Sequence, residues 1–143
     1  MSRTALDTSV LIAAVQSWHA EHERAFEAVG KALEQPPIVL PLHVLLEAYS
    51  VLTRMPKPLR LSPTDAFSLL DLTLRNKTEL VGIGGDAAFG LLRTFRDRGI
   101  SGGAVYDALI ANAAYRAGAS VLVTLNTKHF ERVAPEGLEI IEP

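Results

Sequence analysis

The sequence predicts an α/β fold, a three-layer α/β/α arrangement whose short, mainly parallel central sheet is covered by helices on both faces. Three observations lead to this prediction. Short apolar runs alternate along the chain with longer segments in which apolar residues recur every three or four positions. The strand segments are apolar, as expected of a parallel sheet covered on both sides. The 143 residues match the size of one ordinary domain.

The first half of the chain begins with a strand and a helix joined by a polar turn. Asp7 closes the strand, and Thr8 and Ser9 are residues that favour the start of a helix. The next helical pattern ends at Pro36-Pro37, and the one after it ends before the prolines of 54–58. The predicted strands are 4–7 and 38–40, and the predicted helices are 8–15, 19–34 and 42–52.

The second half of the chain carries clearer signals for where helices begin and end. Ser62, Pro63 and Asp65 combine an N-cap serine, a proline at the first helical position and an acid three residues after the cap. Gly99 and Gly118 suit left-handed caps at the ends of two later helices. The predicted helices are 63–75, 86–98, 106–117 and a short turn at 128–132, and the predicted strands are 80–83, 120–124 and 138–141.

The composition narrows the classes of protein. With 48% hydrophobic and 21% charged residues and a net charge of −2, the chain is expected to be globular rather than disordered. It has no cysteine, which excludes thiolate metal sites, disulfides and cysteine nucleophiles. We expect no membrane span, and Asp7 interrupts the apolar run that a signal peptide needs. The expected location is the cytoplasm.

Four polar residues are candidates for a functional site. Two follow strands, where parallel α/β sheets bind their ligands, and two occupy positions at which a core residue would be expected. Asp7 and Asn126 follow strands, and ligands of such sheets bind outside the carboxyl ends of the strands. Glu47 and Asp107 each lie among apolar neighbours. Taken singly, either aspartate can be a helix cap and Glu47 can pair with an arginine. Two carboxylates 4 Å apart repel by about 4 kcal/mol at an effective dielectric of 20, so a converging set needs a cation or a shared proton. Oxygen ligands alone suit Mg²⁺ or Mn²⁺.

The order of these residues along the chain is itself informative. The segments are Leu6-Asp7-Thr8-Ser9-Val10-Leu11-Ile12, Leu46-Glu47, Tyr106-Asp107-Ala108-Leu109-Ile110-Ala111 with Ala114 and Gly118, and Val123-Thr124-Leu125-Asn126 with His129-Phe130. Over essentially the whole chain this pattern resembles the PIN-domain ribonucleases, and within them the VapC-type toxins of bacterial type II toxin-antitoxin pairs.

The resemblance implies one PIN domain over 1–143 and a Mg²⁺- or Mn²⁺-dependent endoribonuclease. In such an enzyme Asp7, Glu47 and Asp107 hold the metal, which activates a water for attack on an RNA phosphodiester. Asn126 occupies a fourth catalytic position that is often acidic in the family, and its neutrality puts a second tightly bound ion in doubt. Thr8, Ser9 and Thr124 are expected to donate hydrogen bonds to the carboxylates and so orient them. The resemblance further implies a transfer or ribosomal RNA substrate, a small antitoxin partner and a homodimer.

The sequence also allows other functions, of which two are plausible and two conflict with particular residues. A catalytically degraded PIN-like module that binds RNA or protein is the main alternative, because Asn126 lacks a charge; a DNA-cleaving member is another. The stretch 82–87 formally matches a dinucleotide fingerprint but places Asp86 inside the phosphate cradle. An aspartyl-phosphate phosphatase would need a second aspartate where Ser9 stands.

The remaining histidines, basic residues and aromatics are expected to lie at the surface. His19 and His22 are predicted to be solvated, and His43 is expected on the same helix face as Glu47, four residues on. Trp18 and Phe26 are expected to contribute to a packing or partner-binding surface. Two groups of basic residues are candidates for phosphate contacts: Arg54, Lys57 and Arg60, and Arg93, Arg96, Arg98 and Arg116.

Overall fold

The computed structural model describes residues 3–143 and arranges its strands in one five-stranded sheet. The strands are β1 (Thr4–Leu6), β2 (Ile38–Pro41), β3 (Thr78–Val81), β4 (Val121–Val123) and β5 (Glu139–Ile141). Their order in the sheet is β3-β2-β1-β4-β5, and each neighbouring pair is parallel. The predicted fold class is confirmed, and the sheet of the described residues is entirely parallel.

Helices flank this sheet. They are α1 (Thr8–Val15), α2 (His22–Ala32), α3 (Leu42–Arg54), α4 (Pro63–Leu74), α5 (Gly85–Arg98), α6 (Ala104–Arg116) and α7 (Thr127–Glu131). Helix α1 packs against α2 and α3, and α3 also contacts α4 and α6. Because α3 contacts both α1 and α6, side chains from all three helices can converge at the end of β1.

The central strands are buried and apolar, as the sequence predicts. Five residues of these strands have no exposed surface: Ala5, Leu6, Val39, Leu40 and Leu122. Full burial of each leucine or valine side chain contributes about 1.5–3 kcal/mol to the free energy of unfolding. A smaller apolar cluster joins α5 to α6 and to the segment after α7, and consists of Leu91, Phe95, Ala108 and Val133.

The helix caps that the sequence predicts at Ser62, Gly99 and Gly118 are confirmed. Ser62 Oγ accepts the amide of Asp65 at 3.1 Å. Gly99 has a φ of 67° and Gly118 one of 90°, the left-handed conformation that glycine adopts without strain.

The predicted third strand is wrong by two residues. The sequence places it at 80–83, whereas β3 spans Thr78–Val81, with Ile38 opposite Thr78. β3 is an edge strand with exposed residues, so it lacks the continuous apolar pattern by which the inner strands are recognised. Glu79, which the apolar pattern excluded, forms an ion pair with Arg3.

Two expectations for surface residues also need correction. His22 is only partly exposed, because its Nδ1 lies 2.8 Å from the carbonyl oxygen of Ala13, and the Nδ1 of His19 accepts the amide of Glu21 at 3.0 Å. Arg98 donates to the carbonyl oxygens of Val133 and Arg132 at 3.1 and 3.3 Å, so its guanidinium stabilises the end of α7 instead of standing free for a phosphate. No helix within residues 3–143 has both the length and the apolar character needed to cross a membrane.

Candidate active site

Asp7 lies in the middle of the sheet, directly after β1. It is 4% exposed and serves as the N-cap of α1. Its Oδ2 accepts hydrogen bonds from the hydroxyls of Ser9 and Thr124 at 2.8 and 2.9 Å, and from the Ser9 amide at 3.4 Å. The cap predicted from sequence is therefore present, and the same carboxylate is also held from β4. Oδ2 is thus the carboxylate oxygen that these three bonds hold.

A hydroxyl network fixes this carboxylate in place. Thr124 is fully buried, and its Oγ1 lies 3.3 Å from Ser9 Oγ. Ser9 Oγ accepts the amide of Leu125 at 3.0 Å, and Thr124 Oγ1 accepts the amide of Asn126 at 2.9 Å. The two hydroxyls thus connect Asp7 to the backbone of the segment between β4 and α7. The position of Asp7 is determined by the sheet and by both of these bonds.

Glu47 approaches the same place from α3. Its Oε1 accepts a hydrogen bond from the Thr8 hydroxyl at the start of α1. Its Oε2 lies 3.8 Å from Nε2 of His43, one turn earlier on α3, as their spacing predicted. The alternative that Glu47 simply pairs with an arginine is wrong, because within residues 3–143 its charged or hydrogen-bonded partners are Thr8 and His43.

Asp107 reaches the site from the first turn of α6. The N-cap of α6 is Gly103, so Asp107 is not the helix cap that the sequence left open. Burial raises the pKa of Asp107, and the negative charges of Asp7 and Glu47 raise it further, against the opposing influence of His129 and His43. The charges of Asp7 and Glu47 therefore both act on the carboxyl group of Asp107.

Burial also raises the pKa of Asp7, although the hydrogen bonds from Ser9 and Thr124 act in the opposite direction. A carboxylate that has lost its hydration without gaining a cation is held in an unfavourable state at neutral pH. The structure therefore gives neither Asp7 nor Asp107 enough positive charge nearby to offset the burial of its carboxylate. Such carboxyl groups, next to one another at the end of a parallel sheet, are typical of functional sites.

Asn126 and His129 belong to the segment after β4: Asn126 is the N-cap of α7, and His129 lies within that helix. Asn126 is exposed and forms the N-cap of α7 without a side-chain cap bond, while its backbone is tied to Thr124. The amide group is therefore free to turn toward a ligand. His129, which the family pattern includes three residues after Asn126, acts by its charge on Asp107. The sequence did not predict this influence, because it depends on how α7 packs near α6.

The donor atoms of these residues are of the type that a hard divalent cation takes. As the side chains of residues 3–143 are arranged, no three or more His, Asp or Glu side chains form a group that could hold a metal ion. What the structure offers is a set of carboxylate oxygens on Asp7, Glu47 and Asp107, of which those of Asp7 and Glu47 accept hydrogen bonds from neighbouring hydroxyls. An incomplete set of oxygen ligands is what Mg²⁺ tolerates, since it keeps several waters of its own.

Comparison with known proteins shows which family the chain resembles. The family model for the PIN domain matches residues 4–135. Ribonuclease VapC40 of Mycobacterium tuberculosis is 39% identical over 119 residues, which cover 81% of each chain. Ribonuclease VapC27 of the same organism is 42% identical over 110 residues, covering 77% of this chain and 75% of that protein.

The fold is also found in solved structures. A chain in the crystal structure of VapBC2 from Rickettsia felis, bound to a DNA fragment from its promoter, matches with a TM-score of 0.69 and 22% identity over 98% of both chains. Because the family model spans most of the sequence and the curated relatives share about two fifths of the aligned residues, the relationship extends well beyond fold. The chain belongs to the PIN-domain family, among its VapC-type members.

Proposed function

We propose that the protein is an endoribonuclease that depends on Mg²⁺ or Mn²⁺ and acts as the toxin of a toxin-antitoxin pair. The observation that carries this proposal is the Asp7 carboxylate held at the end of β1 by the hydroxyls of Ser9 and Thr124, with Glu47 bonded to the adjacent Thr8. Two relatives at about 40% identity are named ribonucleases, which supports RNA as the substrate. A transfer or ribosomal RNA is the expected target.

Asp7, Glu47 and Asp107 are the residues that would hold the metal. When bound, a divalent cation makes a coordinated water more acidic and neutralises charge on the phosphoryl oxygens. The protein's own contribution is to fix the carboxylates. Ser9 and Thr124 orient Asp7, and Thr8 orients Glu47, as partners behind metal ligands commonly do.

Asn126 has a smaller role in this proposal. The backbone N–H of Asn126 donates to the Thr124 hydroxyl. Its side-chain amide is exposed and can hold a water or a phosphate oxygen by hydrogen bonding. It adds no negative charge, so the site is suited to one tightly held cation instead of two.

A small antitoxin protein is the proposed partner, and the toxin is proposed to form a homodimer. The VapBC2 structure of Rickettsia felis supports the partner, since VapC-type chains occur there in a VapBC assembly. Native co-purification of the chain with the product of a neighbouring gene would support this assignment, whereas a chain that purifies without a small partner at native expression level would contradict it.

The enzymatic assignment is tested by incubating the purified chain with total cellular RNA, with Mg²⁺ or with EDTA, and mapping the new ends. We expect a discrete set of cuts in a structured RNA that disappear in EDTA and in Asp107→Asn. In the same samples, Mg²⁺ at 100 times its Kd should raise the free energy of unfolding of the parent by about 2.7 kcal/mol, and Asp107→Asn should lose most of this gain.

The second candidate function is a PIN-like module that binds RNA or protein without cutting it. The uncharged Asn126 favours it, and the three acidic residues oppose it. RNA binding with neither Mg²⁺-dependent stabilisation nor EDTA-sensitive cleavage would establish the binding module and contradict the nuclease. DNA of the same sequence, run in parallel, distinguishes a DNA-cleaving member.

A further inference from the structure

Two aromatic rings stack on each other beside the carboxylates. His43 on α3 and Tyr106 on α6 have ring centroids 5.3 Å apart and planes inclined by 12°. Each ring belongs to an element that carries an acidic residue of the site. His43 lies 3.8 Å from Glu47, and Tyr106 directly precedes Asp107 in the chain. The stacked pair therefore spans the two helices at the border of the site.

Tyr106 is placed as a contact residue rather than as part of the core. It is 55% exposed, although the next residues of α6 turn into the core, where Ala108 and Ile110 are buried. Within residues 3–143 its hydroxyl makes no hydrogen bond that would explain a tyrosine here. With His43 against one side of the ring and more than half of the residue open to solvent, a flat surface of the ring remains available.

The surface continues past His43 into an apolar depression. Its volume is about 240 Å³, and it lies between α3, α6 and the residues after β3. Beside His43, its wall is formed by apolar residues, among them Leu42, Leu46, Ile83 and Leu109. The area thus changes from anionic at Glu47 and Asp107 to aromatic and apolar over a short distance. A nucleotide has the same division, since its phosphate is charged and its base is flat and weakly polar.

We propose that the His43–Tyr106 pair is the platform on which one unpaired RNA base stacks, with the attached phosphate directed to the carboxylate site. This inference rests on the proposed ribonuclease function and adds the contact that positions the substrate. Aromatic side chains are the usual means of holding unstacked RNA bases, and every base offers a face for stacking. Fixing the base fixes the reach of its phosphate, which aids the reaction by orientation.

The test measures RNA binding while cleavage is blocked. Each variant is made in an Asp7→Asn background, and its Kd for a labelled single-stranded oligoribonucleotide spanning the mapped cut is measured in Mg²⁺. Tyr106→Leu should weaken binding about 5- to 150-fold, the range found when a stacking side chain is removed. Tyr106→Phe, which keeps the ring, should stay within about threefold of the parent.

Tyr115→Leu is the matched control. Tyr115 is the same residue type on the same helix and is 43% exposed. Nine residues separate it from Tyr106, so it lies about 13 Å farther along α6 and on the opposite face. Its replacement should leave the Kd for the oligoribonucleotide unchanged. The two leucine variants should have the same midpoint of thermal unfolding, which shows that both are folded.

A scan with abasic nucleotides separates stacking from a structural role. One abasic position beside the cut should weaken binding by the Asp7→Asn chain about as much as Tyr106→Leu does in that chain, and the two changes together should cost no more than either alone. The scan itself needs no substitution at Tyr106. The platform is contradicted if no single abasic position matters, or if Tyr106→Leu binds as tightly as the parent while the parent still cuts RNA. A parent that neither binds nor cuts RNA would overturn the proposed function, and this inference with it.

Discussion

Asp7 and Asp107 are held in very different ways, although the charge of Asp7 acts on the carboxyl group of Asp107. Asp7 is buried at the end of a central strand and accepts hydrogen bonds from Ser9 and Thr124. Asp107 is half-buried on α6, and within residues 3–143 no hydrogen bond anchors its side chain. The pKa of each is raised chiefly by burial, but only that of Asp107 is also raised by neighbouring carboxylates.

The contrast divides the candidate site into a fixed half and an adjustable half. The fixed half is carried by β1 and β4, whose backbone and hydroxyl bonds leave Asp7 a single orientation. The adjustable half is carried by α6 and α7, because within residues 3–143 no hydrogen bond holds the side chain of Asp107 or of Asn126. Glu47 on α3 is intermediate, since it accepts the hydroxyl of Thr8. As the side chains of residues 3–143 are arranged, they form no group of three that could hold a metal ion, so binding at the proposed site would require side chains of the adjustable half to turn.

Removing either aspartate should have the largest effect, because the site needs both. We expect Asp7→Asn and Asp107→Asn each to lower the rate of RNA cleavage by at least about 100-fold, more than the loss typical of a residue that only supports a metal ligand. The measurement is single-turnover cleavage of a labelled oligoribonucleotide in Mg²⁺. Asp97→Asn is the control, since Asp97 is an exposed acid on α5 whose partner is Arg96. Cleavage by Asp7→Asn at the parental rate would refute the assignment of this residue.

Removing one hydroxyl should show how much the fixed half depends on its network. Thr124→Val keeps the shape of the side chain but deprives Asp7 of a donor and leaves the Asn126 amide without its acceptor. We expect a 10- to 100-fold loss of cleavage or of Mg²⁺ affinity, together with about 1–3 kcal/mol of unfolding free energy.

Thr94→Val is the matched control for this change, because Thr94 is an exposed threonine whose hydroxyl bonds only to the backbone of its own helix. Its replacement should change neither quantity appreciably. Equal effects of the two substitutions would mean that the Thr124 network has no special part in holding Asp7.

The raised pKa of Asp7 predicts a specific pH dependence of stability. Because this pKa is higher in the folded chain than its ordinary value of 3.8, the native state binds the proton more tightly than the unfolded state. The contribution of Asp7 is therefore favourable at low pH and is lost as pH rises through the folded pKa. In EDTA, Asp7→Asn should be less stable than the parent, or equal to it, near pH 3 and more stable at pH 7.

Chemical unfolding of both chains across this range measures the difference, and subtraction cancels the other titrating groups. The asparagine Oδ1 can still accept from Ser9 and Thr124, so the hydrogen bonds persist in the variant. A difference between the chains that does not change with pH would show that burial of the charge is not what destabilises the site. Saturating Mg²⁺ should reverse the advantage of the variant at pH 7.

Much of the fold and part of the site follow from the sequence for definite physical reasons. Inner strands of a parallel sheet are buried on both faces, so β1, β2 and β4 are visible as apolar runs, while the exposed edge strand β3 is misplaced. Ser62 marks its helix start because the cap bond is local. Glu47 and Asp107 are conspicuous as charges among apolar neighbours, since such a position is costly without a purpose.

The sequence could not predict the contacts between side chains of distant elements. The stacking of His43 on Tyr106 depends on how α3 and α6 pack, and the influence of His129 on Asp107 depends on the path of the chain between β4 and α7. Local patterns carry no information about either distance. The same holds for Arg98, whose charge suggested a phosphate contact and whose guanidinium instead bonds to the carbonyl oxygens of Arg132 and Val133.

Asn126 offers the most sensitive test of where the adjustable half ends. Its side chain is exposed and forms no cap bond, so Asn126→Ala should change the unfolding free energy by no more than about 0.5 kcal/mol. Its backbone amide, which bonds to Thr124, is retained in the variant. We expect a loss of cleavage below about 10-fold, less than for Thr124→Val. Asn126→Asp adds a carboxylate to a set already short of positive charge, so it should tighten Mn²⁺ binding in a titration. If Asn126→Ala instead abolishes cleavage, the amide belongs with the essential carboxylates, and the division between a fixed and an adjustable half must be redrawn to include α7 in the fixed part.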